Sequence, residues 1–334
     1  MRDDAMITVT VIGSGAIGKF YGALFTLAEL HVCHLERSDF SILQQQKYYE
    51  LELPDGTVIE ITPKQIVKDY KQLPKSDIIL IALKTTANEV LKEILPYVLK
   101  PESKILVLQN GIGNEEYLVS FIPKSCSILC GVTTTGATRI KPGYIKIKYL
   151  GELKLAPFLT GQSGGEEIKQ LLKSSVHHAM YPKIQLAENH RILRWTKLLW
   201  NTPFSSLAVL FNTSVDALAT QSHYQKIVRA LMYEVCLVAK RDDAEIANNI
   251  EKLLAATAKL HGFYPSMYVD FQEGRRLESQ YIVANVIDYA KTHGLDTPVL
   301  SFIYEKLLML EKSARAFTSS EQQEIFRLIT RLIE

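Results

Sequence analysis

Over the first 150 residues the apolar positions switch repeatedly between two spacings. Thr8–Ile12 (TVTVI) is a short β-branched run, and it is followed by Ile17, Phe20, Tyr21, Leu24, Phe25 and Leu27 at helical spacing. His31–Leu35 (HVCHL) predicts a second strand, and Glu50–Ile61 predicts a hairpin turning at Pro54-Asp55-Gly56. Asp77–Leu83 (DIILIAL) and Lys104–Leu108 (KILVL) are unbroken apolar runs, the pattern of parallel strands covered on both faces. A helix is expected through Val90, Leu91, Ile94 and Leu95, another after Gly113, and strands over 127–135 and 144–155. The turn-rich stretch Thr160-Gly161-Gln162-Ser163-Gly164-Gly165 predicts a loop before one more helix. From Leu186 onward the spacing is helical: 192–211, 223–242, 244–261, 275–293, 301–311 and a last helix near the C-terminus. The expected architecture is α/β: an N-terminal doubly wound parallel sheet over residues 1–182, then an all-α domain over 183–334.

Composition narrows the function classes. The chain has 334 residues, 47% of them hydrophobic and 22% charged, which suits two soluble domains with substantial cores. A formal charge of +2 points to neither nucleic acid nor a membrane surface as partner. Met1–Ala5 lacks the apolar region of a signal peptide, and no apolar run is long enough to span a bilayer. Cys33, Cys126, Cys130 and Cys236 form no CxxC pair, and the first three, in or beside strand-like apolar runs, read as buried free thiols, which suits the cytoplasm. The histidines are scattered; His177-His178 is the only adjacent pair, and no HxxxH or HExxH spacing occurs, so no metal site is expected.

The chemistry begins directly after the first strand. Gly13-Ser14-Gly15-Ala16-Ile17-Gly18 is a GxGxxG sequence opening a helix, which makes the domain Rossmann-like. The first glycine allows the tight turn, the second close approach of a pyrophosphate, and the third packing of helix on strand. The helix N-terminus then offers N–H groups and a positive dipole end to the phosphates. At the end of the second strand stand Glu36, Arg37 and Ser38. A carboxylate here would hold the ribose 2′-OH of NAD, whereas an arginine would hold the 2′-phosphate of NADP. If Glu36 points outward to solvent, Arg37 and Ser38 can clamp the phosphate; if it points inward to the site, it repels NADP. NADP(H) is the expected cofactor, with NAD(H) the alternative that Glu36 keeps open. Lys84 and Asn110, at the ends of two further strands, are expected at the ligand crevice.

In the second half, Lys197, Asn201 and Ser205 are spaced i, i+4, i+8 and share one helix face. By periodicity alone that polar stripe reads either as an exposed face or as a cleft lining. Pro203 in the same helix predicts a kink.

At this point the chain resembles the ketopantoate reductases (2-dehydropantoate 2-reductases). The resemblance is carried by the GxGxxG at 13–18, Lys84, Gln109-Asn110-Gly111-Ile112-Gly113-Asn114-Glu115, Gly131-Val132-Thr133-Thr134 and Pro142-Gly143. It continues in Trp195-x-Lys197-x-x-x-Asn201, Pro265-Ser266-Met267 with Asp270, Arg276-Leu277-Glu278 and His293-Gly294. The resemblance implies that Lys197 is the general acid protonating the C2 oxygen as hydride arrives from the nicotinamide. It implies substrate-binding roles for Asn201 and Ser266, an orienting role for Glu278, and a place for Asn110 and Lys84 where cofactor meets substrate. It also makes Arg37 the NADP-selecting arginine.

Two departures bear on specificity. Ser205 stands where the family usually has a second asparagine, which enlarges or re-polarises the substrate pocket, and Tyr149-Leu150-Gly151-Glu152 lacks the expected glycine-rich turn. The expected activity is NADPH-dependent reduction of 2-dehydropantoate to pantoate. Reduction of another 2-keto acid is the alternative that Ser205 favours, and a non-catalytic dinucleotide-binding protein is disfavoured by the presence of Lys197 and Glu278. A homodimer and hinge closure on substrate are further expectations.

Overall fold

The computed structural model describes residues 6–159, 161–162, 164–174 and 180–334. Met1–Ala5, Thr160, Ser163 and the His177-His178 pair lie outside the described residues. The chain divides into two compact units, one of residues 1–109 and 114–190, the other of residues 110–113 and 191–334.

The strands of the first unit are β1 (Thr8–Ile12), β2 (His31–Leu35), β3 (Tyr49–Glu52), β4 (Val58–Ile61), β5 (Gln65–Val67) and β6 (Ser76–Ile81). They continue with β7 (Leu99–Val107), β8 (Ser127–Thr133), β9 (Gly136–Lys141), β10 (Tyr144–Tyr149), β11 (Glu152–Pro157) and β12 (Lys183–Leu186). Eight form one sheet in the order β12-β11-β8-β7-β6-β1-β2-β5. From β1 the chain builds outward to β2 and β5 on one side and to β6, β7 and β8 on the other, all in parallel. The switch in direction therefore falls between β1 and β6, and the carboxyl ends of these two strands border the crevice.

The unbroken apolar runs are explained by cover on both faces. Val9 and Val11 of β1 and Ile78 and Leu80 of β6 pack with Phe20 and Leu24 of the helix Ala16–Leu27. Ile12, Ile79 and Ile81 point the other way, into a cluster with Leu91 and Leu95 of the helix Leu91–Val98. Period-two alternation puts successive side chains on opposite faces, so a strand buried on both faces keeps a polar residue only where it finds a partner, as Thr10 does in Ser76 (2.8 Å).

The structure departs from the sequence reading at several places. The run 144–155 is two strands, β10 and β11, divided at Gly151, whose φ of +64° makes the turn. Residues 136–141 form a further strand, β9. β9 and β10 join the hairpin β3–β4 in a separate four-stranded sheet, in the order β4-β3-β10-β9, and this sheet packs on the helix Ala16–Leu27. β11 runs antiparallel to β8, and β12 extends the main sheet beyond residue 182. These strands alternate apolar and charged residues (YIKIKY, ELKLAP) because one face meets solvent, a weaker signal than a continuous run.

The second unit is helical, with its core around the 22-residue helix His190–Phe211. That helix runs continuously through Pro203. The other expected helices appear as Ser222–Arg241, Ile250–Thr257, Asn285–Thr292, Pro298–Ser313 and Ser319–Ile333, with Val215–Thr220 and Ser266–Gln272 in addition. Residues 275–278 are not helical, and Gln280–Ala284 forms a π-helical turn. The carboxylate of Glu234 accepts from the amides of Val299 (2.9 Å) and Leu300 (2.8 Å) and so caps the helix that begins at Pro298.

Candidate active site

In the first unit, GxGxxG forms the loop from β1 into the helix beginning at Ala16. Gly13 has a φ of +95°, and a Cβ on it would stand 2.1 Å from the backbone nitrogen of Leu83. A Cβ on Gly18 would stand 2.1 Å from the carbonyl oxygen of Gly13. Gly15 differs: its Cβ would meet nothing within 4 Å. Gly13 and Gly18 thus let the chain turn and the helix close on the strand, while Gly15 leaves open space beside the helix N-terminus. That is a cradle able to take a pyrophosphate. Because Gly13 abuts Leu83, the loop also sits next to Lys84, which is exposed just beyond β6.

The Ser14 hydroxyl donates to the carbonyl oxygen of Leu35 (3.0 Å) and lies 3.0 Å from His34 Nδ1. Its single proton is used on Leu35, so His34 must donate from Nδ1. Burial, with Lys19 nearby, pushes His34 down to about 3, which keeps it neutral. Ser14 can therefore serve a phosphate only through its backbone amide.

Glu36 takes neither of the two orientations weighed from sequence. It is 3% exposed, and its Oε2 accepts from Lys19 Nζ at 2.7 Å. Oε1 accepts from the amides of Arg37 (3.1 Å) and Asp39 (3.4 Å). Lys19, itself buried, also donates to Ser14 O (2.6 Å) and Asp39 Oδ2 (3.0 Å). The reason is electrostatic: two carboxylates carried inward need a cation, and Lys19 supplies it. Arg37 and Ser38 are left exposed at the end of β2. The roles of Lys19 and Asp39 were missed in the sequence. The available signal was a lysine in the first turn of an apolar helix, where the dipole disfavours a cation unless something pairs with it.

A buried amide network orders the ends of β6 and β7. Gln109 Nε2 donates to Leu83 O (2.9 Å) and Asn88 Oδ1 (2.7 Å), and Asn88 Nδ2 donates to Asn114 Oδ1 (3.1 Å).

The second unit holds Asn110, Lys197, Asn201, Ser205, Ser266 and Glu278. Lys197 lies on the helix His190–Phe211 with its Nζ 5.8 Å from the Trp200 ring centroid. Burial pushes it from its ordinary value near 10.5 down to about 8. Asn201 and Ser205, one and two turns on, are 6% and 3% exposed, so this face of the helix is not a solvated one. The Trp200 indole donates to Thr257 Oγ1 (2.9 Å), which fixes the ring beside the lysine.

Three pieces of this unit meet around Tyr281 and Ile282. Thr202 of the long helix donates to Ile282 O (2.8 Å). Ile112 N donates to Tyr281 O (3.0 Å), and Asn285 Nδ2 donates to Ile112 O (2.7 Å). Gly111 must be glycine here: its φ is +88°, and a Cβ would stand 2.4 Å from Tyr281 O. Asn110 is thereby carried to the π-helical turn that follows Glu278. Glu278 is itself 3% exposed, and Glu311 braces its neighbours by accepting from Leu277 N (2.8 Å) and Ser279 Oγ (3.2 Å). Ser266 is exposed at the start of the helix Ser266–Gln272. Among the described residues no group of acidic, histidine or cysteine side chains could hold a metal ion. Nor is any helix among the described residues long and apolar enough to cross a membrane.

A phosphate cradle at the switch point of a parallel sheet, with a helical unit carrying a half-buried lysine, defines an oxidoreductase that uses a nicotinamide dinucleotide. The chain belongs to the ketopantoate reductase family, whose members act on a ketone. The model described as "Ketopantoate reductase PanE/ApbA" matches residues 9–159, and "Ketopantoate reductase PanE/ApbA C terminal" matches residues 189–311. The chain is similar to the 2-dehydropantoate 2-reductase of Nostoc sp., at 32% identity over 90% of this chain and 94% of that one. It is similar in structure to the 2-dehydropantoate 2-reductase of Geobacter metallireducens, with a TM-score of 0.83, 26% identity, and 92% of this chain and all of that one covered. A D-mandelate dehydrogenase solved with NADH and anilino(oxo)acetate shares the fold, with a TM-score of 0.81 at 21% identity, over 92% of this chain and 99% of that one.

Proposed function

We propose that this protein reduces the C2 ketone of 2-dehydropantoate to pantoate with NADPH, a step of pantothenate biosynthesis. The observation that carries this reading is Lys197, a lysine lowered to about 8 by burial, on one helix face with the buried Asn201 and Ser205. The division of labour belongs to the same proposal: the first unit, which runs on through β12 to residue 190 rather than ending near 182, holds the dinucleotide, and the helical unit holds the keto acid. The fingerprint 13–18 binds the pyrophosphate, Arg37 the 2′-phosphate, and Lys84 and Asn110 the nicotinamide end. The inward turn of Glu36 supports NADPH over NADH, because no free carboxylate then opposes the 2′-phosphate.

The nicotinamide, when bound, supplies the hydride to C2. Lys197 donates its Nζ proton to the C2 oxygen as negative charge develops there, then regains a proton from solvent. A lysine titrating near 8 is mostly protonated at neutral pH yet gives up its proton readily. Asn201, Ser205 and Ser266 orient the carboxylate and hydroxyl of the substrate, and Glu278 orients substrate and lysine. The cytoplasm is the compartment we assign. A homodimer is the assembly we assign; a ketopantoate reductase of Staphylococcus aureus that shares the fold is described as dimeric.

A second reading, favoured by Ser205 in place of the expected asparagine, is reduction of a different 2-keto acid. Initial rates of NADPH oxidation separate the two. Turnover with 2-dehydropantoate that exceeds a panel of 2-keto acids supports the first reading, and the reverse order replaces it with the second. Parallel runs with NADH test the cofactor assignment.

A further inference from the structure

Arg139 belongs to β9 in the smaller sheet, a hundred residues from the end of β2 in sequence, yet its guanidinium lies at that end. Nη1 donates to Ser38 Oγ at 2.8 Å and to Asp39 Oδ1 at 2.6 Å. Asp39 is fully buried and is also held by Lys19 and by the Gly143 amide (3.1 Å), so the turn between β9 and β10 is fastened to the end of β2. The Arg139 side chain is 41% exposed. Among the described residues both of its hydrogen bonds leave from Nη1, which keeps Nε and Nη2 for another acceptor. An arginine with one edge fixed by a carboxylate is pre-oriented for two-point binding of a phosphate.

The local charges point the same way. Glu36 and Asp39 are both turned inward onto Lys19, which leaves Arg37, Ser38 and Arg139 exposed where the chain leaves β2. In this fold the end of β2 is where the adenosine ribose 2′ position lies. We propose that Arg139 is a second cation for the 2′-phosphate of NADPH, closing with Arg37 and Ser38 a three-residue seat that only the folded smaller sheet completes. The inference rests on the NADPH reading above.

The test is calorimetric titration of the full-length protein with 2′,5′-ADP and with 5′-ADP. Arg139→Gln, whose amide can still donate to Ser38 or Asp39, should lose about tenfold or more in affinity for 2′,5′-ADP while binding 5′-ADP within about twofold of wild type. An unchanged preference, or an equal loss for both nucleotides, overturns the role of Arg139. A wild-type protein that does not prefer 2′,5′-ADP overturns the NADPH reading itself. Preference lost in Arg37→Ala but kept in Arg139→Gln leaves that reading standing and removes Arg139 alone. Should Arg139→Gln fail to fold, phenylglyoxal modification of the unmutated protein decides the matter. Mass spectrometry should then find Arg139 protected by 2′,5′-ADP and not by 5′-ADP, and equal labelling in both overturns the proposal.

Discussion

Lys19 Nζ stands 2.7 Å from Glu36 Oε2 with both side chains buried, so the acidic residue at the end of the second strand is committed to the protein interior. Lys19→Met would leave Glu36 and Asp39 with no buried cation. Breaking such a pair costs about 3–5 kcal/mol, and the urea unfolding midpoint of the variant should drop accordingly. A midpoint within error of wild type would show that the two carboxylates find other partners.

The same cluster predicts acid sensitivity. Burial alone would raise Asp39, but Lys19, the Gly143 amide and Arg139 together hold it below the usual carboxylate range. A depressed carboxylate contributes stability above its unfolded value, about 3.9, and loses it as pH falls through the folded value. Wild-type stability should therefore decline below about pH 4 by this route, and Asp39→Asn should show a shallower decline over that window. Parallel curves for the two proteins would remove Asp39 from the acid transition.

Lys197 sets both rate and stability. Lys197→Ala should lower kcat by about 10²- to 10⁴-fold with the dissociation constant for NADPH unchanged. In the wild type the reduction rate should fall as pH rises through about 8, where the acid loses its proton. Wild-type turnover in the variant would end the assignment. The stability effect runs in the opposite direction. The folded value lies below the unfolded one, so the charged lysine opposes folding below about pH 8, and the penalty fades as pH rises towards 10.5. Lys197→Met should be more stable than wild type at neutral pH, by at most about 3 kcal/mol, as read by thermal melts.

Ser205 should govern substrate choice. Ser205→Asn puts a longer amide at a position only 3% exposed. We expect the ratio of kcat/KM for 2-dehydropantoate to that for other 2-keto acids to change by about tenfold or more, since a buried polar group left unpaired discriminates strongly. An unchanged ratio would mean that the Ser205 side chain does not meet substrate.

Gly111→Ala forces a side chain into a φ of +88° against Tyr281 O. The strain, about 1–3 kcal/mol, should lower the melting temperature. If Asn110 binds as proposed, KM should rise as well, and a stability loss with KM intact would confine Gly111 to a structural part.

Much of this protein was determined by its sequence alone. Local spacing specified the parallel strands, because continuous apolar runs as short as DIILIAL and KILVL suit strands buried on both faces. It specified the GxGxxG turn, whose glycines meet constraints set within a few residues and at the next strand end. It also specified one helix face for Lys197, Asn201 and Ser205, since 3.6-residue periodicity is a local property. Only the tertiary structure decided whether that face is solvated or enclosed, because burial depends on what lies opposite. The rest of the smaller sheet was not legible beyond its hairpin: β10 alternates, faces solvent on one side and pairs with β3 some ninety residues earlier, and β9 joins only through β10. The direction of Glu36 was decided by Lys19 and Asp39, and the placing of Arg139 by Ser38 and Asp39. Charges separated by seventeen to a hundred residues have no signature in local periodicity, and the cost of burying them is met only when folding brings their partners within hydrogen-bond reach.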